Sequence, residues 1–274
     1  MEKIRTGMEI NGNSVRIAVI TPVKKSQWRI LEIADFATEP EYLPNLLQRL
    51  KRELPLQRGK IIASVPHEQT LFKDIWLDAS LKNQEIYRYL LQQVPLLFGN
   101  FAENWAFDFE ITESVKNQNR ISVVSLPQNK INQYRKWFKE SKLAIHALDV
   151  DILALARLTT TCADWQMDQI QAWIEIKEFE WIFMVFRNQN LWFQKRAMPT
   201  SEKAAMQNQI AKLTQFYNGL FPEWPISQVS VLINNSSSKN HTDFQPVALN
   251  HDTWTDTNVS HSAFCSLGLA IYDY

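Results

Sequence analysis

Thr6-Gly-Met-Glu-Ile-Asn-Gly-Asn-Ser-Val-Arg-Ile-Ala-Val-Ile20 is the stretch that decides how the chain is read. Apolar residues alternate on both sides of Asn11-Gly12-Asn13-Ser14. Alternation predicts half-buried strands, and Asn-Gly between two such runs is the strongest short-range signal for a β-hairpin. Residues 7–10 and 15–20 are therefore expected to pair. Residues 28–34 add a third strand. Leu43, Leu46, Leu47, Leu50 and Leu54 recur at the spacing of an amphipathic helix over residues 40–54. A compact strand follows at residues 60–65, ending at Pro66. Three strands, a helix and a strand form the core of an α/β layer architecture.

Past Pro66 the pattern starts again on a smaller scale. Strands are predicted at residues 70–77, 105–112 and 120–126, and helices at residues 81–91 and 128–141. This reads as a small α+β subdomain with an exposed polar turn at residues 114–120. Residues 143–150 are expected to return as a strand to the first layer. Asp151 is placed to cap a helix over residues 152–158. The composition turns polar near residues 159–168, which suggests a domain boundary.

Beyond it, strands at residues 171–177, 181–187 and 191–196 precede a helix over residues 201–217 and a strand at 229–233. This order repeats the opening pattern. Residues 234–242 read as a flexible polar loop. A short helix (259–267) and a closing strand (268–272) end the chain.

Composition excludes several classes. Lysine plus arginine and aspartate plus glutamate are 29 each, so no net charge draws the chain to nucleic acid or anionic lipid. The cysteines, Cys162 and Cys265, lie far apart without zinc-site spacing. Buried thiols in a reducing compartment are the expectation. The longest purely apolar run, Trp181-Ile-Phe-Met-Val-Phe186, is far short of the ~20 residues a membrane helix needs. A soluble cytoplasmic protein follows as the expectation. The sequence lacks GxSxG, P-loop, HExxH and GxGxxG patterns. Only 6 glycines are present, few for an enzyme that must bring backbone close to phosphate.

Candidate chemistry is sparse. Asp149 and Asp151 flank a helix start and read as a strand end and a cap; acid–base work is the alternative. His241, His251 and His261 follow no structural period and read as loop residues. Lys24-Lys25 and Lys51-Arg52 read as solvated faces. Arg120, Lys130, Arg135 and Lys136 give the subdomain a mildly basic side. Trp76, Trp105, Phe107 and Phe109 stand out in its strands, the last three on one strand face. That face is either core or a groove for an extended apolar peptide, bound by main-chain pairing and side-chain pockets.

The order of elements resembles the PilM family of type IV pilus assembly, especially its short relatives in competence and DNA-uptake operons, of the HofM and ComA type. These are actin-like proteins related to FtsA. Four stretches carry the resemblance: residues 7–16, Ile62-Ala-Ser-Val-Pro66 with Lys73-Asp-Ile-Trp-Leu77, Leu148-Asp-Val-Asp-Ile-Leu-Ala-Leu155, and Leu267-Gly-Leu-Ala-Ile271. Each is short; their order and spacing over nearly the whole chain are the signal.

The resemblance implies a two-lobed actin-like α/β fold with a small α+β insertion and a reduced second lobe. The implied units are residues 1–66, first lobe; 67–142, FtsA-type insertion; 143–165, return and inter-lobe helix; 166–257, second lobe; and 258–274, a C-terminal helix and strand returning to the first lobe. It implies a protein at the cytoplasmic face of the inner membrane. Its partner would be the cytoplasmic N-terminal tail of a PilN-like single-pass membrane protein, held in a groove by the insertion. Trp76, Trp105, Phe107 and Phe109 are the residues expected there.

The family also commonly binds ATP between its lobes, with aspartate-x-glycine hairpins. This chain departs from that pattern. Glu9-Ile-Asn11 stands in the first lobe and Glu175-Ile-Lys177 in the second. An extra methylene moves each acid by about 1.5 Å along an extended chain. Asn11 and Lys177 put side chains where phosphate must approach. Glu9, Asn11, Gly12, Glu175 and Lys177 are thus expected to form a degenerate nucleotide cleft, with no catalytic residue, no resident metal and no required cofactor. Glu9 and Glu175 read either as a magnesium-holding pair or as surface acids; Lys177 reads as a neutralising tether. The function expected is a non-enzymatic scaffold; the alternative is a switch or weak ATPase using ATP and magnesium.

Overall fold

The computed structural model describes residues 4–24, 27–56, 59–99, 104–162, 169–177, 180–198, 203–233, 249–250, 252–255 and 259–272. The polar loop expected at residues 234–242 lies outside them, as do His241 and His251.

The opening hairpin forms from β1 (Ile4–Asn11) and β2 (Ser14–Lys24), with Asn11 opposite Ser14. Gly12 and Asn13 are the two loop residues, and Gly12 takes φ +50°. Glycine at the first central position suits a two-residue hairpin loop whose twist matches its strands. β3 (Gln27–Ala37) pairs with β2; α1 (Leu43–Glu53) then leads to β4 (Gly59–Val65), which lies parallel to β1. Leu43, Leu46, Leu47 and Leu50 of α1 are buried against Met8, Ile10, Val15 and Ile17.

The insertion leaves after β4. It comprises β5 (Leu71–Asp78), α2 (Asn83–Phe98), β6 (Trp105–Val115), β7 (Gln118–Pro127) and α3 (Gln128–Ser141). Its sheet has the order β5-β7-β6. Ile86, Leu90, Val94 and Phe98, each four residues apart, carry α2 onto that sheet, well past the expected end at Leu91. α3 does not cover this sheet alone; Tyr134 and Phe138 join the core of the first lobe.

The chain returns as β8 (Ala147–Val150), parallel to β4, and continues into α4 (Asp151–Thr159). β8 is shorter than the strand expected over residues 143–150. Lys142 ends α3 in the left-handed region (φ +54°), and Leu143 donates its amide to the Phe138 carbonyl, so the residues just before β8 belong to a helix cap.

The second lobe contains β9 (Gln171–Ile176), β10 (Trp181–Arg187), β11 (Asn190–Ala197), α5 (Lys203–Leu220) and β12 (Gln228–Ile233). The first sheet runs β3-β2-β1-β4-β8 and the second β11-β10-β9-β12. Each has two antiparallel pairings on one side of its first strand and a parallel one on the other. The opening hairpin and the strands at residues 171–197 thus occupy equivalent places. Among the described residues the second sheet has four strands where the first has five.

α6 (Phe264–Ala270) corrects one expectation: residues 268–270 are helical, not a closing strand. All seven residues of α6 are buried, so no alternation marks it, and an apolar run of this length does not distinguish helix from strand. Two glycines let it pack. A Cβ on Gly268 would sit 1.9 Å from the Ala154 carbonyl oxygen of α4; one on Gly7 of β1 would sit 1.8 Å from that of Ser266. α4 and α6 form the layer between the lobes, where Leu155, Phe264 and Leu267 share a core with Ala18 of the first sheet and Trp173 of the second.

The insertion also docks on the second lobe. Arg120 of β7 pairs with Asp74, donates to the Trp192 carbonyl (2.8 Å) and stacks 4.0 Å over the Trp192 ring. Asn190 donates to the Thr112 carbonyl (2.6 Å), and Arg187 lies 3.5 Å from Glu113.

Candidate functional site

Strand alternation explains where the acidic tips go. Met8 and Ile10 of β1 face α1, so Glu9 between them faces the inter-lobe layer. Ile174 and Ile176 of β9 pack in the outer core with α5, so Glu175 faces inward too. Both acids are buried, at 2% and 3% exposure. Lys177, just past β9, reaches between them. Its ammonium lies 3.3 Å from Glu175 and 3.7 Å from Asp151. Arg16, opposite Glu9 in the hairpin, lies 3.8 Å from it and 2.9 Å from Asp35.

Asp151 is the first residue of α4 rather than its cap. One carboxylate oxygen accepts from the Ile152 amide (2.6 Å) and the His67 amide (2.9 Å), and His67 Nδ1 lies 3.2 Å from it. A carboxylate there also complements the positive end of the helix. Asp149 pairs with Arg157 at 2.7 Å.

The charges respond to this crowding. Burial pushes the Glu9 carboxyl up, only partly opposed by Lys177 and Arg16, to about 7. Burial pushes Lys177 down, but Glu175, Asp151 and Glu9 outweigh it and hold its pKa well above the usual lysine range. Burial likewise pushes Asp151 up, yet its hydrogen bond from His67 and the charge of Lys177 leave it lowered. The buried Cys265 thiol is pushed far up, which makes it inert.

These residues do not fit a nucleotide. Lys177 pairs with Glu175 and Asp151 and feels the charge of Glu9, so its ammonium stands where a phosphate would have to approach. Gly7 and Gly268 are consumed by helix packing. Gly12 sits on an exposed turn, with nothing within 4 Å of where a Cβ would stand, and Asn11 is half-buried beside it. The structure therefore brings Glu9, Glu175 and Lys177 together and leaves Asn11 and Gly12 outside that cluster.

The four aromatic residues are also divided. Trp105, Phe107 and Phe109 pack on the α2 side of the insertion sheet, with Phe107 stacked 5.4 Å from Tyr87. Trp76 pairs in register with Arg120 on the opposite face and is 42% exposed.

Open space lies elsewhere at the junction of first lobe and insertion. A cavity of about 510 Å³ is lined by Asn13, Glu39, Pro40, Glu41, Gln133 and Trp137. A second, of about 100 Å³, shares Pro40, Gln133 and Trp137 and reaches Ile10, Val15, Pro66, Lys130 and Tyr134. Together they form a groove between the hairpin tip, the β3–α1 connection and α3. Tyr134 holds Trp137 edge-on at 5.1 Å. Gln48 and Lys51 of α1 donate to the carbonyls of Glu140 and Lys142, which fixes the distance between the helices. Trp137 lies one residue off the buried stripe of α3 (Tyr134, Phe138); a large aromatic there in an otherwise polar helix is the signal that points to it.

A family described as type IV pilus assembly protein PilM matches residues 14–211. Among solved structures, the chain is similar to the PilM-PilN type IV pilus biogenesis complex: TM-score 0.65, 12% identity, covering 86% of this chain and 83% of that one. It is also similar to the cytoplasmic domain of EpsL, an inner membrane component of the type II secretion system of Vibrio cholerae: TM-score 0.59, 8% identity, covering 100% and 97%. At such identities the likeness is one of fold, and that fold is actin-like. No curated protein sequence matches the chain. Among the described residues no helix is long and apolar enough to cross a membrane.

Proposed function

The chain belongs to the PilM family of type IV pilus assembly proteins, and from that we propose a non-enzymatic scaffold on the cytoplasmic face of the inner membrane. It holds the N-terminal tail of a PilN-like single-pass membrane protein in the groove between the hairpin tip and α3. The observation that carries this reading is the groove itself. It is the open cleft at the lobe–insertion junction, walled by Trp137 and Pro40 and floored by Ile10, Val15 and Leu43. An apolar floor beneath largely polar walls suits an extended peptide: pockets take side chains, and Asn13, Glu39, Glu41, Gln133 and Lys130 meet its backbone and polar groups. The similar structure that pairs PilM with PilN supports the choice of partner.

Labelled peptides from the N-terminus of the PilN-like protein should bind the folded chain, read by fluorescence anisotropy. No binding at high micromolar peptide overturns the reading. The rival, a nucleotide-dependent switch, requires phosphate between Glu9 and Glu175, where Lys177 already sits. Calorimetry with ATP and magnesium should show no heat of binding; a micromolar dissociation constant reverses the ranking.

A further inference from the structure

The inter-lobe cluster contains a buried ring nitrogen with no hydrogen bond. His67 is 6% exposed, and its Nε2 has no hydrogen-bond partner among the described residues. Leaving such a group buried without a partner is costly, so a reason is needed. The other nitrogen is accounted for: Nδ1 lies 3.2 Å from Asp151. With the ring proton on Nδ1 and donated to that carboxylate, Nε2 presents its lone pair outward. That arrangement, an imidazole oriented by a carboxylate behind it, is how proteins prepare a histidine for a metal.

What Nε2 faces is the carboxylate of Glu180, 3.9 Å away, just before β10. Glu68 supplies a second carboxylate, 3.7 Å from Nδ1 of the same ring, so its side chain must swing toward Nε2 to share an ion there. One donor atom from each of the three residues lies within 4.8 Å of the others. Metal–ligand bonds of about 2.1 Å to nitrogen and oxygen put neighbouring donors about 3.4 Å apart in a tetrahedron. The trio is thus within rotamer adjustment of ligation. Charge favours it as well. Glu68, Asp151, Glu175 and Glu180 supply four carboxylates along this chain of contacts, against the two cations Lys177 and Arg196.

We propose that His67, Glu68 and Glu180 bind a divalent transition metal of the zinc class, clamping the first lobe to the second. His67 and Glu68 follow β4 of the first lobe, while Glu180 leads into β10 of the second, so the ion adds a direct tie between two units that α4 and α6 already join. A nitrogen with two carboxylates favours zinc over magnesium, which prefers oxygen and water. The fourth position is left to water. His67 and Glu68 lie between Pro66 and Gln69, which line the smaller cavity of the groove, and His67 contacts Asp151 of the inter-lobe cluster. One competitor is built in: Arg196 donates to the same Glu180 oxygen at 2.7 Å and 2.8 Å.

The competitor supplies the decisive test. Calorimetric titration of chelator-treated protein with Zn²⁺ should give one ion per chain, and Mg²⁺ at least 100-fold weaker binding. Glu180→Gln and Glu68→Gln should each weaken Zn²⁺ binding at least 10-fold, and remove the rise of the thermal midpoint with added Zn²⁺. Arg196→Gln should tighten it several-fold, because the arginine competes for the same Glu180 oxygen. His261→Ala should change nothing. Because His67→Gln removes a partner of Asp151 and can fail to fold, the outcome rests on the glutamate and arginine variants. Unchanged affinity in Glu180→Gln, or weaker binding in Arg196→Gln, overturns the proposal.

Discussion

Between the lobes, Lys177 meets the buried carboxylates of Glu175 and Asp151, with the buried Glu9 beside them. On the other face of the same hairpin, Pro40, Gln133 and Trp137 stand around open space. Both clefts border β1, and one residue of strand alternation separates them: Glu9 faces the first, Ile10 the second. One hairpin thus borders paired buried charges on one face and open space on the other. Charge closes the inner cleft from within, since buried ions need partners on every side. The outer groove is walled by rigid aromatics and proline, which hold a shape without needing a partner.

Removing the closure should produce the largest effect. Lys177→Met leaves Glu9, Glu175 and Asp151 buried without their shared cation. The expected cost is about 3–5 kcal/mol, the usual penalty for breaking a buried ion pair, measured by urea unfolding. A loss under ~1 kcal/mol would mean that water reaches the cluster and that the inner cleft is not closed.

Next is the pH response of Glu9. Its folded pKa of about 7 lies above the unfolded value of 4.5. Between these values the folded chain keeps a proton that the unfolded chain releases, so stability falls as pH rises through that window and levels off above it. The swing is at most about 3 kcal/mol. Glu9→Gln should flatten this part of the profile and be more stable than the parent at pH 8. A parallel profile for the two would remove Glu9 as the source.

The groove gives smaller, more selective effects. Trp137→Ala should cost about 2 kcal/mol of peptide affinity, as a central aromatic anchor does, with little change in the unfolding midpoint. Trp76→Ala, on an exposed face away from the groove, should change affinity by less than about 0.5 kcal/mol. If the two exchange roles, the peptide lies along the insertion sheet instead.

What was legible in the sequence was local. Asn11-Gly12 and its flanking alternation marked the first hairpin, and short polar turns between apolar runs marked the strands around residues 171–197. The stripe of Leu43, Leu46, Leu47 and Leu50 marked α1. What was hidden depends on distant contacts. Gly268 looked like the start of a strand because nothing nearby announces that Ala154 packs against it. The late start of β8 follows from one left-handed residue, Lys142, of a type that seldom adopts that conformation. The groove is assembled from Asn13, Pro40 and Trp137, the first and last more than a hundred residues apart, so no motif spans it. The aromatic strand of the insertion was conspicuous, but alternation alone could not say whether its face met α2 or a partner.

The docking of Arg120 on Trp192 has a mechanical consequence. The backbone ties the first lobe to the insertion at both ends, the Arg120 and Asn190 contacts tie the insertion to the second lobe, and α4 with α6 ties the second lobe back to the first. Three bodies joined pairwise make a triangle, the one linkage that cannot shear without breaking a side. Two lobes on a single pivot can swing like scissors; these have no free axis. A pull on a tail seated beside α3, as proposed above, would travel through the whole frame.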